Sequence, residues 1–137
     1  MQKYYLDACI WFDYFENRKD RFRPLGEWAF DLIKKIIKED ALILYSELVE
    51  EELGKRYSVK DIQKILNIVP PAVIITVKTS NTQIKESIYI SKKFNIPRKD
   101  ALHAILARDN NAILITRDKH FQELQDKLSI RKPEELI

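Results

Sequence analysis

The sequence predicts an α/β domain: a three-layer sandwich in which helices flank a mainly parallel central sheet of four or five strands. Two observations support this prediction. Short apolar runs alternate along the chain with segments whose apolar residues recur at helical spacing. Strands that alternate with helices form parallel sheets that are covered on both faces, and right-handed crossovers make the strands point the same way. At 137 residues, the chain suits one domain over residues 1–137.

The first part of the chain contains two predicted strands and two predicted helices. The aromatic run at residues 3–6 indicates a strand, and residues 8–16 a helix. Residues 17–26 form a polar loop. Apolar residues then recur at helical spacing over residues 28–37, opposite lysines, which indicates an amphipathic helix. Residues 41–45 are a second apolar run and are predicted to be the second strand.

The middle of the chain repeats this alternation. Residues 47–53 indicate a short helix that Gly54 can terminate. Apolar residues at helical spacing over residues 59–69 indicate another helix, and the two prolines that follow stop it. Residues 73–77 are all β-branched and predict the third strand.

The last part contains two well-marked helices and two further strands. A capping box opens a helix over residues 80–94, and a proline near its start marks the next helix, over residues 97–111. Residues 112–116 are the fourth predicted strand. A final helix is expected to carry the apolar residues between 121 and 128, and residues 129–131 are expected to add a short edge strand.

Composition limits the partners and the cellular location that the sequence predicts. The net charge of +3 comes from 24 basic and 21 acidic residues, which permits a polyanionic partner without requiring one. Cys9 is the only cysteine, so no disulfide can form within the chain. The first twelve residues lack the features of a signal peptide, and no apolar run is long enough to cross a membrane. We therefore expect a cytoplasmic protein with no membrane association.

Three aspartates are predicted to converge at one edge of the sheet. Asp7 follows the first strand and Asp118 follows the fourth, and parallel strands end at the same edge. Asp100 begins a helix that only two residues join to the fourth strand, so this helix runs antiparallel to the strand and its start returns to the same edge. Taken singly, each aspartate also has a structural explanation, because Asp is a common helix cap and is favoured in a first helical turn.

Glu52 differs from the glutamates around it. The apolar stripe of its short helix is defined by Leu48, Val49 and Leu53, and at 100° per residue Glu52 falls within this stripe. The neighbouring glutamates point elsewhere. A charge that faces the core needs a partner, so Glu52 is predicted to join the three aspartates.

Four converging carboxylates would repel one another and raise each other's pKa values unless a cation neutralised them. Oxygen ligands without a cysteine cluster favour Mg²⁺ or Mn²⁺ over zinc. Such ions activate water and stabilise the leaving oxygen of a phosphate ester. Metal-dependent phosphodiester hydrolysis is therefore the predicted reaction.

The chain resembles the PIN-domain ribonucleases, most closely the VapC-type toxins of prokaryotic toxin–antitoxin pairs. Residues 5–9, residues 100–104 and residues 115–121 carry the resemblance, together with Ser46 and the Glu-Leu pair that begins six residues later. The resemblance covers nearly the whole chain, although the loop over residues 17–26 is long and basic for this family.

In that family, acids at these places are the catalytic and metal-binding residues. The resemblance therefore implies both roles for Asp7, Glu52, Asp100 and Asp118. It also implies a PIN-like fold, Mg²⁺ or Mn²⁺ as the cofactor, an RNA substrate, a cognate antitoxin and a homodimer.

Several other residues are weaker candidates. Arg98, Arg117 and Lys119 flank two of the acids and are candidates for binding RNA phosphates. Thr116 is a candidate for binding RNA, a site carboxylate or the attacking water. A further cluster of basic residues lies in the loop over residues 17–26. His103 lies one helical turn after Asp100 and is a weaker candidate for the site, but packing or ordinary hydrogen bonding is favoured for it and for His120. Two histidines so far apart make no zinc motif.

Two alternatives remain at this stage. The first is a catalytically silent PIN-like module that binds RNA or protein. The second is a phosphoryl-transfer domain with Asp7 as the nucleophile, although a haloacid-dehalogenase-type phosphatase would place a second aspartate where this chain has Cys9. Within the ribonuclease prediction, the resemblance favours the toxin of a type II toxin–antitoxin pair, and an RNA-processing nuclease and a quality-control nuclease remain open.

Overall fold

Short, largely apolar runs form the central sheet of the computed structural model, which describes residues 1–137. The strands are β1 (Lys3–Leu6), β2 (Leu42–Ser46), β3 (Ile74–Val77), β4 (Ile113–Ile115) and β5 (Ile130–Arg131). Their order across the sheet is β3-β2-β1-β4-β5, and every neighbouring pair is parallel. The prediction of a three-layer α/β sandwich with a parallel sheet is confirmed, and each strand overlaps its predicted segment.

Six α-helices connect and cover these strands. They are α1 (Ala8–Glu16), α2 (Leu25–Lys38), α3 (Glu47–Gly54), α4 (Val59–Leu66), α5 (Asn81–Phe94) and α6 (Arg98–Asp109). The capping box predicted for α5 is present, since the Ser80 hydroxyl accepts from the Gln83 N–H and the Gln83 side chain accepts from the Ser80 N–H. None of the six helices has the length and hydrophobicity that a membrane span requires.

α2 starts earlier than predicted, inside the segment that was interpreted as a loop. Its start packs tightly on the end of α1, where Asn17 adopts a left-handed conformation with φ 47°. The Gly26 N–H donates to the Arg18 carbonyl at 2.9 Å, and a Cβ on Gly26 would lie only 2.5 Å from the Asn17 Cα. A side chain at position 26 would clash with Asn17, so this close approach needs glycine. With glycine there, the first turn of α2 lies inside the segment that was predicted to be a loop.

The prediction of a final α-helix is wrong. Residues 119–124 form a 3-10 helix instead, and Leu128 lies outside it. In a 3-10 helix, side chains three residues apart point the same way. Phe121 and Leu124 have this spacing and are both buried. Six residues in this tighter helix therefore bury the apolar pair before the chain enters β5.

The strand order sets the position of the functional site. The chain starts at β1 in the centre, builds β2 and β3 on one side, and then returns to add β4 and β5 on the other side. In open α/β sheets, ligands bind beyond the carboxyl ends of the strands where the order reverses, which here lies between β1 and β4. Beneath this edge, Tyr5, Leu6 and Ile115 belong to a core in which they are fully buried.

Candidate active site

Asp7 lies at the centre of the site, immediately after β1. Its N–H donates to the Ile115 carbonyl of β4 at 3.0 Å, which fixes the aspartate at the switch point of the sheet. One carboxylate oxygen accepts from the Ala8 N–H at 2.7 Å, and the other accepts from the Thr116 hydroxyl at 2.9 Å. Asp7 therefore caps α1, as an isolated aspartate in this position would, and also turns its carboxylate toward the residues that follow β4.

Glu52 and His103 complete the first group of site residues with Asp7. The Nε2 atom of His103 lies 2.7 Å from Oε1 of Glu52 and 3.6 Å from Oδ1 of Asp7. The His103 ring is buried, whereas the Glu52 side chain is 23% exposed. Glu47, Glu50 and Glu51 are exposed, so the structure brings only Glu52 of this acidic run to the site.

Asp100, Asp118 and His120 form a second group beside the first. The His120 Nδ1 atom lies 2.8 Å from an Asp100 oxygen and 3.0 Å from an Asp118 oxygen. Asp118 also accepts from the His120 N–H at 2.9 Å and so caps the 3-10 helix. The hydrogen bond to Asp100 raises the pKa of His120. The imidazole thus lies between two carboxylates, a position that suits a cation.

Thr116 and α6 link the two groups. The Thr116 hydroxyl donates to Asp7 and accepts from the Asp118 N–H at 3.0 Å. Asp100 and His103 are one turn apart on α6, so this helix contributes one residue to each group. The four predicted acids therefore come from four different segments of the chain and gather at one edge of the sheet.

The pKa values of two site aspartates are raised. Burial raises the pKa of Asp7, and the contacts with His103 and Thr116 partly oppose that shift. Burial and then the negative charge of Asp118 raise the pKa of Asp100, and the charge of Asp7 adds to the effect. Both shifts have the sign expected for carboxylates that lie close together in a partly buried place.

The donor set at this edge fits a hard divalent cation. Neither lysine nor arginine forms an ion pair with any of the four acids; their only charged or chargeable partners are the two histidines. Each group of three offers ligand atoms that lie within 4.8 Å of one another. Clustered carboxylate oxygens of this kind suit Mg²⁺ or Mn²⁺, so Asp7, Glu52, Asp100 and Asp118 could hold such an ion.

The structure places both histidines among the site acids, where the sequence favoured packing or ordinary hydrogen bonding for them. One signal in the sequence was available for each of them. His103 follows Asp100 by three residues on a helix and therefore shares its face, and His120 follows Asp118 by two residues in a capping turn. The approach of α3, which brings Glu52 onto His103, is a tertiary contact that the local pattern does not encode.

The candidate RNA-binding residues differ in their surroundings. Thr116 is buried and bonded to Asp7, so it acts on a carboxylate. Arg117 is 14% exposed and pairs with Asp13 at 3.3 Å and Glu134 at 2.7 Å. Its guanidinium group therefore binds acids of the protein itself. Arg98 and Lys119 are exposed and form no ion pair.

A cavity of about 190 Å³ opens beside Asp118. Four basic side chains contribute to its lining in addition to Arg117, and they come from the basic loop, the 3-10 helix and the β5 segment: Arg23, Lys119, Arg131 and Lys132. Basic side chains of this kind attract phosphate groups. The cavity could therefore accept part of a polyanionic chain that runs past the acids.

Comparison with known proteins identifies the family and the fold of this chain. The PIN domain family model matches residues 4–127, whereas no curated protein matches the sequence. The fold is similar to that of VapBC2 from Rickettsia felis, solved bound to a DNA fragment from its promoter, with a TM-score of 0.70, 18% identity and coverage of 96% of this chain and 98% of that chain.

Two further solved structures are similar over nearly their whole length. VapBC-1 from nontypeable Haemophilus influenzae has a TM-score of 0.64 and 19% identity, and the match covers 97% of this chain and 99% of that one. FitAcB from Neisseria gonorrhoeae has a TM-score of 0.62 and 18% identity, with 96% and 99% covered. At these identities, the likeness shows a shared fold.

Proposed function

The chain belongs to the PIN-domain family, and on this premise we propose that it is a metal-dependent ribonuclease that hydrolyses RNA phosphodiester bonds. One observation carries the proposal: four carboxylates from separate segments converge at the switch point of a parallel sheet, and no lysine or arginine pairs with them. Such an arrangement is electrostatically costly in the free protein. A bound divalent cation would neutralise the four carboxylates and remove this cost.

In this proposal, Asp7, Glu52, Asp100 and Asp118 hold the metal and are the catalytic residues. Bound Mg²⁺ or Mn²⁺ supplies an activated water and neutralises charge on the phosphate. Thr116 keeps the Asp7 carboxylate in a fixed orientation through its 2.9 Å hydrogen bond. Asp7 has both oxygens engaged in hydrogen bonds, which supports the role of a held ligand over that of a phosphoryl acceptor.

The family resemblance supports RNA as the substrate, and the charges around the acids suit such a polyanion. Lys119 and Arg98 are exposed, form no ion pair and flank Asp118 and Asp100 in sequence, so they are suited to holding phosphates. The basic cavity beside Asp118 extends this surface. We leave Arg117 out of the RNA-binding set because it is paired with Asp13 and Glu134.

We also propose that the protein is the toxin of a toxin–antitoxin pair, with a cognate antitoxin as its partner. The family membership supports this role, as do the similar folds of the VapBC proteins. A homodimer is proposed on the family resemblance alone. We also propose a cytoplasmic location, where an RNA-cleaving toxin would meet its substrate.

A cleavage assay with matched variants tests the proposed activity. The purified protein is incubated with RNA in chelator, in Mg²⁺ and in Mn²⁺, and Asp7→Asn is compared with Glu50→Gln, which changes an exposed acid of α3. We expect cleavage by the wild type and by Glu50→Gln only when metal is present, and none by Asp7→Asn. Cleavage that survives in chelator, or in Asp7→Asn, would contradict the proposal. Growth arrest on expression, which coexpression of an antitoxin relieves, tests the toxin role separately.

A further inference from the structure

A chain of buried hydrogen bonds runs beneath the acids and ends at Glu52. The Tyr5 hydroxyl lies 2.6 Å from the Ser46 hydroxyl and 2.6 Å from Nδ1 of His103. The other ring nitrogen of His103, Nε2, lies 2.7 Å from Glu52. Ser46 and Tyr5 are 0% exposed and His103 is 1% exposed. We call these four residues the Ser46–Glu52 chain.

The direction of this chain follows from counting hydrogens. The Ser46 hydroxyl accepts from the Val49 N–H at 3.1 Å, because Ser46 caps α3, and it has one hydrogen of its own. Tyr5 also has one hydrogen, which it can give either to Ser46 or to His103. A tyrosine hydroxyl ordinarily keeps its hydrogen at neutral pH, so Tyr5 remains a donor.

The carboxylate of Glu52 decides between these two directions. If Tyr5 donated to Ser46, Nδ1 of His103 would have to donate to Tyr5, and a neutral ring would then turn the lone pair of Nε2 toward the Glu52 carboxylate at 2.7 Å. Two acceptors would face each other in a buried place, which is costly. In the opposite direction, Ser46 donates to Tyr5, Tyr5 to His103 and His103 to Glu52. Every contact then has one donor and one acceptor.

We propose that the His103 ring is neutral, that Glu52 and Tyr5 together hold it as the Nε2–H tautomer, and that His103 is a positioning residue which holds Glu52 beside Asp7. A ring nitrogen that carries a hydrogen cannot ligate a metal. His103 therefore acts on a carboxylate ligand and is not itself a ligand, although its position would also permit coordination. The role of Glu52 in this inference rests on the proposed function, whereas the tautomer does not.

The tautomer can be measured directly on the wild-type protein without any activity assay. Nitrogen-15 NMR of the side-chain imidazoles distinguishes a ring that carries its hydrogen on Nε2 from one that carries it on Nδ1. We expect the His103 hydrogen on Nε2 alone, both in chelator and with saturating Mg²⁺. A hydrogen on Nδ1, or loss of the Nε2 hydrogen when Mg²⁺ is added, would overturn the inference.

Two tyrosine variants show whether the hydroxyl of Tyr5 sets this state. Tyr5→Phe keeps the ring and removes the hydrogen donated to Nδ1, so the Nδ1 signal of His103 should shift while Nε2, which still donates to Glu52, keeps its hydrogen. Tyr45→Phe is the matched control, because the Tyr45 hydroxyl is buried in the neighbouring strand β2 and has no hydrogen-bond partner. It should leave the His103 signals unchanged. An unchanged pattern in Tyr5→Phe would overturn the role of Tyr5.

Metal binding tests the positioning of Glu52. Residues that orient a metal ligand typically change metal affinity by about 10–100-fold when mutated. We therefore expect His103→Leu to bind Mn²⁺ about 10–100-fold more weakly by calorimetry, and His103→Gln, whose amide can still donate to Glu52, to lose less. Equal affinity in wild type and His103→Leu would overturn the positioning role. If the Nε2–H tautomer is found but RNA is not cleaved, the proposed function fails and the tautomer assignment stands.

Discussion

Replacing Asp100 by asparagine should stabilise the metal-free protein while it abolishes RNA cleavage. The change keeps the shape of the side chain and removes one negative charge from a half-buried group whose pKa is raised by burial and by Asp118. The ligand atoms of Asp100, Asp118 and His120 lie within 4.8 Å of one another. At that separation, two like charges repel by about 3 kcal/mol at an effective dielectric constant of about 20.

Two effects reduce this gain. Asp118 is 35% exposed, so solvent screens part of the repulsion. The hydrogen bond from His120 to a neutral amide is weaker than that to a carboxylate by about 1 kcal/mol. We therefore expect a net stabilisation of about 1–2 kcal/mol, which raises the Tm of a domain of this size by about 3–8 °C.

The pH dependence of this difference has a definite sign. Because the pKa of Asp100 is higher in the folded state than the ordinary 3.8, the folded protein binds the proton more tightly than the unfolded chain does. The wild type therefore loses stability as pH rises from about 3.8 through the raised pKa. The advantage of Asp100→Asn should be full above this range and vanish below it, where Asp100 is neutral in both states.

Thermal melts in chelator and in Mn²⁺, paired with the cleavage assay, measure both parts of the prediction. Metal should raise the Tm of the wild type more than that of Asp100→Asn, since a ligand that binds only the folded state stabilises it by mass action. If Asp100 serves only the helix terminus, the substitution should instead cost about 0.5 kcal/mol through the helix dipole. A destabilised variant that still cuts RNA and keeps the full metal shift would refute the reasoning.

Three further substitutions test individual parts of the site. Glu52→Gln should abolish metal-dependent cleavage, whereas Glu50→Gln should not. An equal loss of cleavage in the two variants would show that the wrong face of α3 was chosen. Arg117→Ala should lower the unfolding free energy in urea by about 1–3 kcal/mol, less than the roughly 3–5 kcal/mol typical of a broken buried pair, because the buried Asp13 loses its closer partner while Arg18 stays 3.8 Å away; an unchanged midpoint would contradict this. Lys119→Ala should change stability by less than about 0.5 kcal/mol and reduce the salt dependence of RNA binding by about one phosphate contact, whereas an unchanged salt slope would remove Lys119 from the RNA surface.

The convergence of the acids was predictable because it depends on rules that hold for nearly all parallel sheets. Once β1 and β4 are parallel, the residues that follow them must meet at one edge, which brings Asp7 and Asp118 together. The two-residue turn after α6 returns Asp100 to that edge. Glu52 was predictable from helical periodicity alone, since its neighbours Val49 and Leu53 are fully buried.

The features that the sequence did not predict depend on contacts between distant segments. His103 meets Glu52 only because α3 and α6 both approach β1. Arg117 reads as a free cation beside Asp118, but it is neutralised by Asp13 of α1 and Glu134 near the carboxyl end. The periodicity of one segment does not show which side chains of another segment will contact it. Residues such as His103 and Arg117 are therefore misassigned when each segment is interpreted by itself.

The central claim is that Asp7, Glu52, Asp100 and Asp118 together form one metal-binding edge. An anomalous difference map from crystals grown with Mn²⁺ tests this most directly, because it locates the ion without reference to activity. We predict a peak among these four carboxylates, with Nε2 of His103 outside the coordination sphere and directed at Glu52. A structure in which Mn²⁺ binds elsewhere, or in which the four acids remain without metal at saturating Mn²⁺, would contradict the account.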